Sequence, residues 1–546
     1  MSQTTSNGAL GRASALMASG TAVSRVLGLL RGMVLVAAIG ATGQAADAFA
    51  VANKLPNVLY MLLAGGVLNA ILVPQVVRAY KRDAGQDYVD RLLTFGFVVL
   101  GAVAAVLTLA APLLVDIYSD SGSASQHALA VSFAYWCIPQ LFFYGAYALL
   151  GQVLNARGSF GPYMWAPVAN NLVSIAGFGV FIAVFGNARE TDVNLASTWS
   201  SGQVVLLAVS ATLGVIAQAA VLYPAMRRAG VRYRPRWGLR GYGLSRAGTV
   251  AVWTFLGLLV GQLGYIVVSR VASQTSHAAG PGAVVAGNAA YDYAFLIFML
   301  PHSLVTVSLA TALFTRLSAQ AHDGDADGAR STLSLGLRVV GLFTTIATAV
   351  LVVLGYPLTG LVILTGTAAE AHAVSGVVVT MAVGLPFFGA WSMCQRVYYA
   401  YEDARGMVPV QVAMAAVVAI GTWLSRELLD PQWWVAGAGA AMSLSYALGA
   451  GVALWRLRAR LVHVDGPRVL RTHAQALVAA VLAAGAGAAT SALLDVPDRL
   501  VGWLVTCVVV GLVMGAVYVV ALKIMHVREL DDLTRPLVAR LRRRRG

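Results

Sequence analysis

Two arginines inside an apolar run are the first residues here that demand a chemical reason. Arg25 and Arg31 stand in SRVLGLLRG, within a stretch read as a membrane span over 16–41. Charge held inside a bilayer is costly, so each such residue needs a purpose or a partner. Six residues at about 100° each place the two guanidiniums roughly 120° apart around a straight helix. Gly28 and Gly32 allow a bend or a close helix approach that would let both converge. A guanidinium fork matches phosphate oxygens and keeps its charge, so a converging pair suits a diphosphate. The competing account is snorkelling toward the nearer interface, which fits Arg25 better than Arg31.

Further polar residues punctuate later apolar runs. The second begins DAFAVANKLPN, with Asp47 near one end and Lys54, Pro56 and Asn57 deeper. Pro56 removes a helical hydrogen bond and predicts a kink that frees a carbonyl. Asp47 suits either a partner arginine or a plain interfacial charge. In GLLVGQLGYIVVSRVAS, Gln262 and Ser269 are seven apart and share a helix face. Arg270 follows, either a further cation for the same cargo or an anchor at the interface. Asp292 and His302 could relay protons, or serve only as structure beside Pro301.

These residues must be positioned by membrane helices. The chain has 546 residues, is 58% hydrophobic and only 11% charged, with a mean hydropathy of +0.74. Soluble domains carry about 25% charged residues, which excludes a soluble globule. About fourteen apolar stretches, each near the roughly 20 residues a bilayer requires, run from 16 to 525 with no room for a soluble domain between them. No removable signal peptide is expected at the N-terminus.

A net charge of +15 would suit nucleic acid, but its placement does not. With the N-terminus inside, thirty of the 38 Lys and Arg fall in loops on the cytoplasmic side and three outside. That asymmetry orients the chain with both termini cytoplasmic, and no nucleic-acid partner is expected. Cys137, Cys394 and Cys507 all lie in apolar stretches and read as buried thiols. There is no phosphate-binding glycine loop and no metal-ligand spacing, so neither catalysis, a metal nor a cofactor is expected. The Asp323, Asp325 and Asp327 run reads as a solvated loop.

The chain also repeats itself. The stretch 72–113 resembles 313–358, with Arg91 opposite Arg330 and Pro112 opposite Pro357, and 151–167 echoes 394–410. The offset of about 240 residues gives two six-span halves in one orientation, a common transporter architecture. The expected divisions are a six-helix bundle over 1–228, a second over 229–460, and two extra spans with a basic tail over 461–546.

At SRVLGLLRG followed by DAFAVANKLPN, the sequence resembles the MurJ/MviN family of lipid II flippases, within the multidrug/oligosaccharidyl-lipid/polysaccharide exporter superfamily. The likeness continues through GQVLNARGSFGPYMWAPVANN, GQLGYIVVSRVAS and LPHSLVTVSLATALFTRLS. It implies an all-α fold of two six-helix bundles, related by a pseudo-two-fold, plus two C-terminal helices. It also implies movement of lipid II, the undecaprenyl-diphosphate-linked peptidoglycan precursor, from the inner to the outer leaflet of the cytoplasmic membrane by alternating access. By matching position, Arg25 and Arg31 look like the family's two first-span arginines, and Asp47 and Asn57 its polar positions in the second. Gly32, Tyr60, Gly65 and Leu296 stand where many members carry charge. The implied partners are lipid II and membrane lipids, with cell-wall synthesis or division proteins left open. An exporter of polysaccharide-lipids or drugs from the same superfamily, and a non-transporting membrane scaffold, are the alternatives.

Overall fold

Backbone groups in hydrocarbon must be satisfied within the protein, and a helix does so segment by segment. The computed structural model describes residues 3–63, 85–188, 195–238, 248–280, 282–364, 366–461, 463–494 and 496–530, and every regular element among them is helical. Twelve helical segments among these residues are long and apolar enough to cross a membrane, or thirteen if Ala368–Ala382 and Leu385–Ala400, bent by 49°, make one span. The span expected at 47–77 is seen as Gln44–Leu63, and its remainder, with Gly65, lies outside the described residues. The chain divides into two compact units.

The first unit holds residues 1–262, 269–289 and 362–366. Its helices are α1 (Gln3–Ile39), α2 (Gln44–Leu63), α3 (Gly85–Leu109), α4 (Ala111–Tyr118), α5 (Ala124–Cys137), α6 (Gln140–Ala156), α7 (Phe160–Phe185), α8 (Ser201–Ala220), α9 (Leu222–Arg228) and most of α10 (Gly248–Ala279). Small residues let α7 and α8 approach closely. A side chain at Gly214 would strike Ser174 and Asn170, and one at Gly177 would strike Ser210. Asn170 closes this seam by donating to Gln218 Oε1 at 2.8 Å. The run expected as one span over 92–117 is broken at Ala110, because Pro112 starts a new helix, α4.

A strap of extended chain after α9 lies along the start of α3. Val231 and Tyr233 turn inward while Arg232 and Arg234 turn out. Tyr233 meets Thr94 at 3.0 Å, and Arg236 pairs with Asp87. Hydrogen bonds from Arg91, and then from Arg236, hold the Asp87 carboxyl below the usual carboxylate range.

The second unit holds 263–268, 290–361 and 367–546. It contains most of α11 (Asn288–Pro301), then α12 (Val307–His322), α13 (Ala326–Val362), α14 (Ala368–Ala382), α15 (Leu385–Ala400), α16 (Ala404–Leu428), α17 (Trp434–Leu461), α18 (Gly466–Leu493) and α19 (Leu500–Ile524). Between α11 and α12, residues His302–Thr306 form a π-turn, a wide turn common near functional sites. The α16–α17 contact repeats the small-residue principle, with Gly421 against Ala441 and Gly437 against Ser425. Arg338, within α13, forms a buried ion pair with Glu529 just beyond α19. Tyr518 of α19 donates to the Leu342 carbonyl at 2.7 Å.

The arginines aligned in the sequence each pair with an acid of their own helix. Arg91 pairs with Asp87 one turn earlier at 2.8 Å, and Arg330 pairs with Asp327 at 2.7 Å. The matched prolines differ, since Pro112 opens α4 whereas Pro357 stays inside α13.

Candidate functional site

Packing of α1 decides what its arginines face. Gly20 lies under the Trp165 ring of α7, Asn171 donates to the Ser24 carbonyl at 2.9 Å, and Asn171 also reaches the space beside Gly28. Residues 20, 24 and 28 are one turn apart, so they make a small-residue stripe against α7. Arg25 is exposed, one position round from that stripe. Arg31, seven residues after Ser24, returns to within about 20° of it. It is half-buried. The helix runs unbroken through Gly28 and Gly32, so no helix break turns the two arginines together.

Asp47 sits in the first turn of α2, after a reversal in which Gly40 and Gly43 take positive φ values of 82° and 98°. Only glycine adopts that conformation without strain. Asp47 is fully buried, and its Oδ1 accepts the Ala289 backbone N–H at 2.9 Å. Ala289 lies in the first turn of α11, where unpaired N–H groups and the helix dipole favour a carboxylate. Gly287 makes the approach possible, because a Cβ there would overlap the Asp47 carboxylate. Asn288 donates to the Ser269 carbonyl of α10 at 2.9 Å. Asp47 therefore ties the start of α2 to the start of α11. The same end of this unit encloses a cavity of about 500 Å³ lined by Thr42, Gln44, Ser276 and His277, among others.

Deeper along α2, Asn57 is exposed, and Pro56 is buried in a helix that continues past it. Neighbouring Asn53 is held by Gln140, which also donates to Thr212 at 3.0 Å. Tyr60 packs on Tyr144, ring centroids 5.8 Å apart. Gln262 is half-buried, and its Oε1 accepts no hydrogen bond among the described residues. Leu296 and Gly32 are half-buried. His302 packs against the Phe388 ring at 4.1 Å.

Arg270 has a partner that sequence reasoning missed. Its Nη2 meets Asp120 Oδ2 at 2.9 Å, and its Nη1 donates to the Asp116 carbonyl at 2.6 Å. Gln274 donates to the same Asp120 oxygen at 2.9 Å, and Ser273 Oγ accepts the Asp120 N–H at 2.8 Å. Arg270 thus fastens the segment after α4 to α10. Acids at 116 and 120 were visible in VDIYSDSG, but nothing local relates them to a residue 150 positions away. Among the described residues there is no cluster of three or more His, Cys, Asp or Glu fit to hold a metal.

A family model described as lipid II flippase MurJ matches residues 35–500. This chain belongs to that family. The MurJ match takes in Asp47, Asn57, Gln262 and Arg270, while Arg25 and Arg31 precede it. A probable lipid II flippase MurJ of Vibrio cholerae is 27% identical over 504 residues, covering 89% of this chain and 88% of that protein. Lipid II flippase MurJ of Burkholderia cenocepacia is 28% identical over 478 residues, covering 85% and 87%. A solved structure of lipid II flippase MurJ in an inward closed conformation covers 96% of this chain and 99% of that one, with 17% identity and a TM-score of 0.70. An inward-facing multidrug resistance MATE family transporter of the MOP superfamily covers 81% and 96%, with 14% identity and a TM-score of 0.62. At these identities the two structures speak to fold alone. The chain is a multi-pass membrane protein of transporter fold.

Proposed function

We propose that this chain carries lipid II from the inner to the outer leaflet of the cytoplasmic membrane by alternating access. The observation that carries the reading is the lipid II flippase family match over 35–500. Arg31, half-buried in α1, is the cation best placed for the diphosphate, with Arg25 as a second charge on the same helix. Asn57 and Gln262 offer neutral polar groups. Asp47 acts as a latch between α2 and α11, which alternating access would break and re-form. Arg270, paired with Asp120, has at most an indirect part in binding. Transport makes and breaks no covalent bond, so no enzymatic activity and no cofactor belong to this reading. Both termini lie in the cytoplasm, on the side favoured by thirty basic residues against three. The two repeats, 1–228 and 229–460, would be the moving halves, and proteins of cell-wall synthesis or division the further partners.

The test is complementation in a strain depleted of its own flippase, read as the leaflet distribution of lipid II. Restored growth with lipid II reaching the outer leaflet supports the proposal. The resemblance carries a second reading, because at Gly32, Tyr60 and Leu296 it implies charge in many members where this chain has none. A non-transporting scaffold would leave lipid II in the inner leaflet whatever residue stood at Arg31.

A further inference from the structure

The run RRAGVRYRPRWG over 227–238 interleaves cations with aromatic and apolar residues just where the span Ser201–Arg228 ends. Its backbone is fixed against α3. Gln86 Nε2 donates to the Arg232 carbonyl at 3.4 Å, and Arg91 Nη1 to the Gly238 carbonyl at 3.3 Å. Thr94 is the central tie. Its one hydroxyl proton goes to the Asp90 carbonyl at 2.7 Å, so its oxygen accepts from the Tyr233 hydroxyl and the Arg236 N–H, each at 3.0 Å. The Tyr233 ring also meets Phe97 edge-on at 5.6 Å. Thr94 stands five residues into the span Val89–Leu109, about 8 Å from its start. Two span ends therefore hold the strap at the depth of lipid headgroups.

What the strap turns outward is of one chemical kind. Arg227, Arg228, Arg232 and Arg234 are exposed, and none has an acid partner among the described residues, Asp87 being taken by Arg91 and Arg236. Trp237 is 73% exposed, and the Arg227 guanidinium lies over the exposed Tyr223 ring at 5.0 Å. A solvated charge run needs neither a fixed backbone nor an exposed indole, whereas Trp and Tyr collect at the membrane–water interface.

We propose that the strap docks the phosphate headgroups of anionic phospholipids in the adjoining leaflet, with Arg232 and Arg234 as the phosphate-binding pair. Guanidinium forks match phosphate oxygens, and basic residues beside a span are drawn to anionic lipid. Trp237 and Tyr223 flank these cations as interfacial anchors. Hydrogen bonding to α3 sets the spacing of the pair before any lipid arrives. No part of the flippase reading is needed for this surface.

The test measures retention of phosphatidylglycerol and of phosphatidylcholine with matched acyl chains by the purified full-length chain in native mass spectrometry. Arg232→Gln with Arg234→Gln should weaken phosphatidylglycerol about tenfold and leave phosphatidylcholine unchanged. Arg458→Gln with Arg468→Gln removes the same charge from another helix end and should leave the tight phosphatidylglycerol in place. Asp87→Ala with Thr94→Val adds a net positive charge while releasing the strap. It should weaken phosphatidylglycerol, where attraction by net charge alone would strengthen it. Equal weakening by the strap pair and the distant pair overturns the proposal. Unchanged phosphatidylglycerol in the Arg232, Arg234 variant also overturns it, and would leave those cations to an acidic protein surface.

Discussion

Asp47 and Ala289, 242 residues apart in the chain, are joined by a hydrogen bond of 2.9 Å from backbone N–H to carboxylate. The carboxylate stands in for a local N-cap residue, at the first turn of α11. Removing an N-cap acceptor costs about 0.5–2 kcal/mol. Asp47→Ala is therefore expected to lower the Tm of the purified protein and to impair complementation. Asp47→Asn keeps an acceptor oxygen and should retain most of the stability. Gly287→Ala, which drives a methyl into the carboxylate, should imitate Asp47→Ala with the aspartate still present. Unchanged unfolding in all three variants would remove the latch from the account.

On the proposed assignment of Arg31 to the diphosphate, Arg31→Ala should strongly reduce transport with expression and Tm near wild type. Arg31→Lys should restore only part, since an ammonium keeps the charge and loses the fork. Lipid II translocation in the depleted strain measures both. A double Arg25→Ala, Arg31→Ala variant that complements as well as wild type would refute the assignment and leave the fold untouched.

Arg270 and Asp120 should behave as a structural pair. Their side chains are 40% and 47% exposed, and such pairs contribute roughly 0.2–1 kcal/mol in a double-mutant cycle. Arg270→Ala and Asp120→Ala should give matching small losses of Tm, with transport largely kept. If Arg270 instead touched cargo, its alanine variant would lose transport while Asp120→Ala would not.

The buried pair of Arg338 and Glu529 predicts a larger effect, since each side chain is only 8% exposed. Breaking such a pair from one side costs about 3–5 kcal/mol, because the remaining charge stays buried. Glu529→Ala should therefore lower the Tm sharply, and adding Arg338→Met to Glu529→Leu should recover much of it. Equal Tm for Glu529→Ala and wild type would show that the pair carries no such burden.

Much of the fold was legible because its signals are local. Apolar runs of span length, broken by Pro, Gly and charge, mark helices whatever their neighbours. The breaks inside runs were harder: Pro112 starts a helix while Pro357 is absorbed by one, and both look alike in the sequence. The site was legible only in part. Arg25 and Arg31 stand out by being charged within an apolar run. The partner of Arg270 lies 150 residues away and that of Arg338 lies 191 residues away, and no periodicity joins them.

Orientation makes a separate prediction. The strap holding Arg232 should face the cytoplasm, and the turn at Gly282 the outside. A cysteine replacing Arg232 should resist an impermeant thiol reagent applied to intact cells, whereas one replacing Gly282 should react. Labelling at 232 would invert the topology.

The π-turn at His302–Thr306, closed by the Val307 N–H on the His302 carbonyl, sets the phase of all that follows in that span. A wide turn of this kind stores one residue more than ordinary helix would use. Helical-wheel alignment carried from α11 into α12 therefore slips by about 100°, and faces drawn across Pro301 from periodicity alone join residues that point apart. Deleting a single residue within 302–306 should therefore leave a continuous α-helix that still spans and keeps the face bearing Ser308 and Thr311 in its present direction, whereas a deletion elsewhere in the span would turn it.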